Sequence, residues 1–101
     1  MRNTKHNWTK EDLTNTLNII LKDYNREEWS DVLINVSTSI GTSVGSVKAL
    51  YTSFKRISQG IEPNPTKGGI GCNWGKNVED AYNQWVTDSN VSNSKINIIF
   101  S

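Results

Sequence analysis

Lys48, Lys55 and Arg56 lie in the stretch GTSVGSVKALYTSFKRI, residues 41–57. Ammonium and guanidinium groups pair with phosphate oxygens and reach the acceptor edges of bases. Lys48 falls near the start of the helix this stretch predicts. A cation there gains nothing from the helix dipole, and a helix set into a groove reads bases with its first residues. Lys55 and Arg56 fall near the helix end. They serve either as phosphate contacts or as complements to the negative end of the dipole. Arg2, Lys5 and His6 open the chain. They form either an arm that reaches a minor groove or a phosphate, or an ordinary solvated terminus.

Other chemistry finds little support. Glu11, Asp12, Glu27, Glu28 and Asp31 gather at expected helix starts, where capping and the dipole explain them. His6 and Cys72 are the sole residues of their types, so an intrachain disulfide is impossible and a closed zinc site within one chain is not expected. No nucleophile–base pair or ligand-spaced set is visible, so the sequence predicts no enzyme, no catalytic residue, no metal and no cofactor. The glycine-rich stretch GIEPNPTKGGIGCNWGK lacks the Gly-Lys-Ser/Thr ending of a phosphate-binding loop, and no strand precedes it. It reads as a covering loop pinned by Trp74. Trp74 and Trp85 either stack on single-stranded bases or pack into the body, and packing fits their places in a loop and an amphipathic helix better.

The chain has 101 residues, enough for one domain with a real core. Lys and Arg number 11 against 10 Asp and Glu, a net charge of +1, so any nucleic-acid contact has to come from a local patch. Residues 1–60 are slightly basic and residues 61–101 slightly acidic. No opening apolar segment is long enough for a leader or a membrane span, which predicts a cytoplasmic protein. Asparagine is abundant, which suggests an AT-rich coding genome such as that of a low-GC bacterium or its phage.

Helical elements must position the basic residues. Thr9 caps a first helix at about 9–23, with Leu13, Leu17, Ile20 and Tyr24 recurring at helical spacing. A second helix spans about 26–40. Asn25 caps it, Trp29, Val32, Leu33, Val36 and Ile40 form its stripe, and Gly41 ends it. Trp29 is expected to be deeply buried. Thr42 or Ser43 caps a third helix that buries Val44, Val47, Leu50, Tyr51, Phe54 and Ile57 and stops at Gly60. A fourth helix, at about 77–87, starts at Asn77 and buries Val78, Ala81, Tyr82 and Trp85.

NWTKEDLTNTLNIIL, EEWSDVL and GTSVGSVKALYTSFKRI together resemble the Myb/SANT-like helix-turn-helix family across residues 7–58, with Trp8, Trp29 and Tyr51 at its three spaced aromatic positions. The resemblance implies an all-α fold whose third helix enters the DNA major groove. It also implies that Ser46, Lys48, Ala49, Thr52, Ser53, Lys55 and Arg56 face DNA. The third helix lacks the dense basic set of strong DNA readers, and weakly basic relatives often bind proteins instead.

The closing KINIIFS alternates apolar and polar residues, which predicts a short strand. Such a tail pairs with its copy in a homodimer or with a partner's edge strand, or Ile96, Ile98 and Phe100 lie in a groove of the chain's own body. The expected architecture is therefore all-α: a three-helix core over residues 1–60, then a loop, a fourth helix and a strand-like tail over 61–101 on the same domain. The expected function is double-stranded DNA binding in transcription control or phage DNA transactions. The alternative is a protein-binding module, such as a small phage-encoded inhibitor of a host or defence protein.

Overall fold

The computed structural model describes residues 8–24, 28–64, 66 and 74–100. Arg2, Lys5, His6, Asn25 and Cys72 lie outside them. The described chain is all-helical, with α1 Lys10–Asp23, α2 Trp29–Ile40, α3 Val44–Ser58, α4 Lys76–Ser89 and α5 Asn93–Ile99. No helix among the described residues is long and apolar enough to cross a membrane.

Local chemistry sets the boundaries. The Asp12 amide donates to Thr9 Oγ1 at 3.1 Å, which caps α1. At the end of α2, Gly41 takes a left-handed conformation (φ 86°) that only glycine adopts without strain. Ser43 then caps α3, accepting from the Ser46 amide at 3.1 Å. Helix α2 begins at Trp29 with Glu28 as its N-cap residue, later than the expected start. Helix α4 begins one residue earlier than expected, after Gly75, and runs two residues longer.

The helices close into a ring of packed pairs: α1 on α2, α2 on α3, α3 on α4 and α4 on α1. Leu13, Leu17 and Ile20 of α1 meet Val32, Leu33 and Val36 of α2, Val47, Leu50 and Phe54 of α3, and Val78, Ala81, Tyr82 and Trp85 of α4. Trp85 Nε1 donates to Asn18 Oδ1 at 3.0 Å, so the indole is buried without stranding its N–H. Trp74 is also buried, with its N–H 3.3 Å from Glu79 Oε2. Both tryptophans pack into the body. Among the described residues, eight of the seventeen core hydrophobics come from residue 74 onward, so the C-terminal segment is part of the core and no appendage to it.

Two expectations are corrected. The closing segment is a helix, α5, rather than a strand. Its ladder is satisfied internally, with Ile96 N–H to Ser92 O at 3.0 Å and Phe100 N–H to Ile96 O at 2.9 Å. An edge to be paired by a second chain does not exist there. Ile96, Ile99 and Phe100 turn inward at helical spacing, and Ile98 is left 61% exposed. The tail thus lies against its own body, in a different register from the one alternation implied. Trp29 is only half-buried. As the first residue of α2 it sits at the end of the packed stripe, its ring 4.8 Å from that of Tyr51.

This ranks the aromatic sites. Phe54 is fully buried and touches the rings of Tyr82 and Phe100. Phe54→Ala is expected to cost about 3–5 kcal/mol, and Trp29→Ala roughly half of that. Urea unfolding of the two variants checks the order. An equal or larger loss at Trp29 would contradict this core.

Candidate nucleic-acid interface

Helix α3 is held by its inner side. Val47, Leu50 and Phe54 enter the core. Tyr51 is clamped between Trp29 of α2 and Phe100 after α5, with ring centroids at 4.8 and 5.4 Å. Its hydroxyl donates to the Ile99 carbonyl at 2.8 Å. Burial raises the Tyr51 phenol above the usual tyrosine value of 10.0, and does the same to Tyr82 of α4.

The outer side carries Gly45, Lys48, Ala49, Thr52, Lys55 and Arg56. Their spacing of i, i+3, i+4, i+7, i+10 and i+11 places them along one stripe. Gly45 and Lys48 are exposed, and the other four are half-exposed. The stripe bears three cations, and α3 has no Asp, Glu, Asn or Gln anywhere along it. A Cβ built at Gly45 would meet only Ser43 Oγ, at 3.9 Å, so the start of the stripe is open. Glycine inside a helix costs about 0.5–1 kcal/mol relative to alanine. Neither a close contact nor a positive φ in this fold demands it at position 45.

The sequence-derived set separates on this surface. Lys48, Ala49, Thr52, Lys55 and Arg56 share the outer side. Ser46 lies at its border, half-buried, with Ser43 Oγ 3.0 Å from its hydroxyl. Ser53 is corrected. It is fully buried, and its hydroxyl donates to the Leu50 carbonyl at 2.6 Å, so it cannot touch a ligand on this face. Three residues after Leu50 and four before Ile57, it falls on the core side of the helix, a position that helical arithmetic exposes. Arg2 and Lys5 lie outside the described residues. Thr52 Oγ1 donates to the Lys48 carbonyl at 3.0 Å, and Ser58 Oγ to that of Lys55 at 2.6 Å.

Sequence reasoning missed a second surface. An open groove of about 560 Å³ runs between the end of α3, α4 and α5. Ile57, Tyr82, Val86 and Ile96 supply its apolar lining, and Asn83 and Asn97 are among its polar residues. Among the described residues, no charged side chain lines it. The groove depends on α5 being a helix, which the alternating pattern concealed. Among the described residues, no three His, Cys, Asp or Glu side chains come together as a metal site.

No known protein family, curated protein or solved structure matches this chain.

The buried phenols give the scaffold behind α3 a pH dependence. A raised folded-state pKa leaves the tyrosine contribution intact below pH 10 and removes it as pH climbs through the folded value, because the unfolded chain loses those protons first. Unfolding free energy measured from pH 8 to 11 is therefore expected to fall above pH 10, and less steeply in Tyr51→Phe. An identical alkaline slope in that variant would remove Tyr51 from this account.

Proposed function

We propose that this chain is a double-stranded DNA-binding domain that sets the outer side of α3 into the major groove. It acts in the cytoplasm, in transcription control or in phage DNA transactions. The observation that carries this reading is the make-up of the stripe: three cations, three small side chains and no acid on an open helix face. Lys48, Lys55 and Arg56 supply phosphate contacts that fix register. Gly45 lets a sugar–phosphate strand or a base edge approach the start of the helix, which gives a reason for a glycine the fold does not need. The resemblance of residues 7–58 to Myb/SANT-like helix-turn-helix domains agrees with α3 as the recognition helix, with α2 and the Gly41–Ser43 turn ahead of it.

A second reading has its own observation. The uncharged groove beside α5, in a chain of net charge +1, suits a protein partner better than a polyanion. Under that reading the chain is a protein-binding module, such as a small phage-encoded inhibitor.

Electrophoretic mobility on random-sequence duplex at two salt concentrations separates them. Under the first reading, binding weakens with salt, since each neutralised phosphate releases counterions. Lys48→Ala with Lys55→Ala and Arg56→Ala is expected to keep the fold and abolish binding, each lost contact flattening the log–log salt slope by about one unit. Gly45→Ala is expected to raise stability by about 0.5–1 kcal/mol and weaken binding. Duplex binding that survives the triple substitution unchanged would move the interface off α3.

A further inference from the structure

We propose that the outer side of α3 reads the C5-methyl group of pyrimidines in duplex DNA; this rests on the reading of that side as the DNA-facing one. Direct readout of base edges uses Arg or Lys on guanine, Asn or Gln on adenine, Asp or Glu on cytosine, and small apolar groups on the thymine methyl. Helix α3 has no Asn, Gln, Asp or Glu. Two hydroxyls in its middle donate within the helix: Thr52 to the Lys48 carbonyl at 3.0 Å and Ser53 to the Leu50 carbonyl at 2.6 Å. Neither hydroxyl proton is left for a base acceptor, so the middle of α3 has no hydroxyl donor to offer a base edge.

What the middle of the stripe retains is aliphatic. The Ala49 methyl and the Thr52 γ-methyl stand three residues apart, neighbours on a helix surface. Ala49 and Thr52 are half-exposed residues, with exposed Lys48 before them and Lys55 and Arg56 after. With long cations at both ends of the stripe meeting phosphates, the short residues between them are the ones left for the groove floor. In the major groove the pyrimidine C5-methyl is the one apolar group that base edges present. Two sources carry it, thymine and 5-methylcytosine, at the same ring position.

The test uses three random-sequence duplex pools at one salt concentration: one with thymine, one with uracil replacing every thymine, and one with uracil and with 5-methylcytosine replacing every cytosine. Uracil differs from thymine by the methyl group alone. Affinity for the uracil pool is expected to fall about fourfold for each methyl contacted. Thr52→Ser keeps the hydroxyl and loses a methyl, so it is expected to shrink the thymine-to-uracil ratio. Recovery in the third pool shows that the methyl is read on either base. A thymine preference without recovery still supports the proposal and assigns the methyl to thymine. Equal binding to all three pools overturns the proposal and leaves the DNA reading standing. Binding to none of them overturns the DNA reading, and this proposal with it.

Discussion

The packing of Phe100 against Tyr51, Phe54 and Tyr82 is the contact on which the arrangement depends. Its ring centroid lies 5.4, 6.3 and 6.1 Å from theirs, joining the end of α5 to α3 and α4. Aromatic pairs of this kind contribute about 0.5–1.5 kcal/mol each beyond the area they bury. They also decide orientation. With Tyr51 and Phe54 engaged from the inside, α3 has one rotational setting, and that setting turns Lys48, Ala49 and Thr52 to the outside. The same ring cluster makes the groove beside α4, since Ile96 and Asn97 are brought there by the helix that Phe100 anchors.

Much of this was legible in the sequence. Thr9, Gly41 and Ser43 carry their roles in their chemistry, and α1, α3 and α4 follow the apolar spacing closely. The closing segment imitates a strand because Ile96, Ile98 and Phe100 alternate, and a run of seven residues cannot distinguish a period of 2 from one of 3.6. The better signal was Ser92, whose hydroxyl accepts from the Lys95 amide at 3.2 Å and starts a helix. Trp29 falls short of deep burial because α2 starts about three residues later than the spacing predicts: a tryptophan in a first turn has no preceding turn to lie over. Ser53 was carried onto the DNA-facing set by family resemblance, although its place between Leu50 and Ile57 already put it on the core side.

The two surfaces divide the chemistry of the molecule. Outer α3 concentrates cations and small residues, while the α3–α4–α5 groove is uncharged and rich in carboxamides. A near-neutral chain binds a polyanion only if its positive charge is gathered in one place, and the stripe from Lys48 to Arg56 is such a place among the described residues. The absence of carboxamide side chains along α3 leaves it without the paired hydrogen bonds by which Asn or Gln reads adenine.

The central claim is that outer α3 is the surface that meets duplex DNA. The most direct measurement is a map of backbone amide shifts on adding a random-sequence duplex to the labelled chain at low salt. The account predicts that the changes concentrate at Gly45, Lys48, Ala49, Thr52, Lys55 and Arg56 and fade as salt is raised. Changes centred on Asn83, Val86 and Asn97, or no change at any duplex concentration, would contradict it.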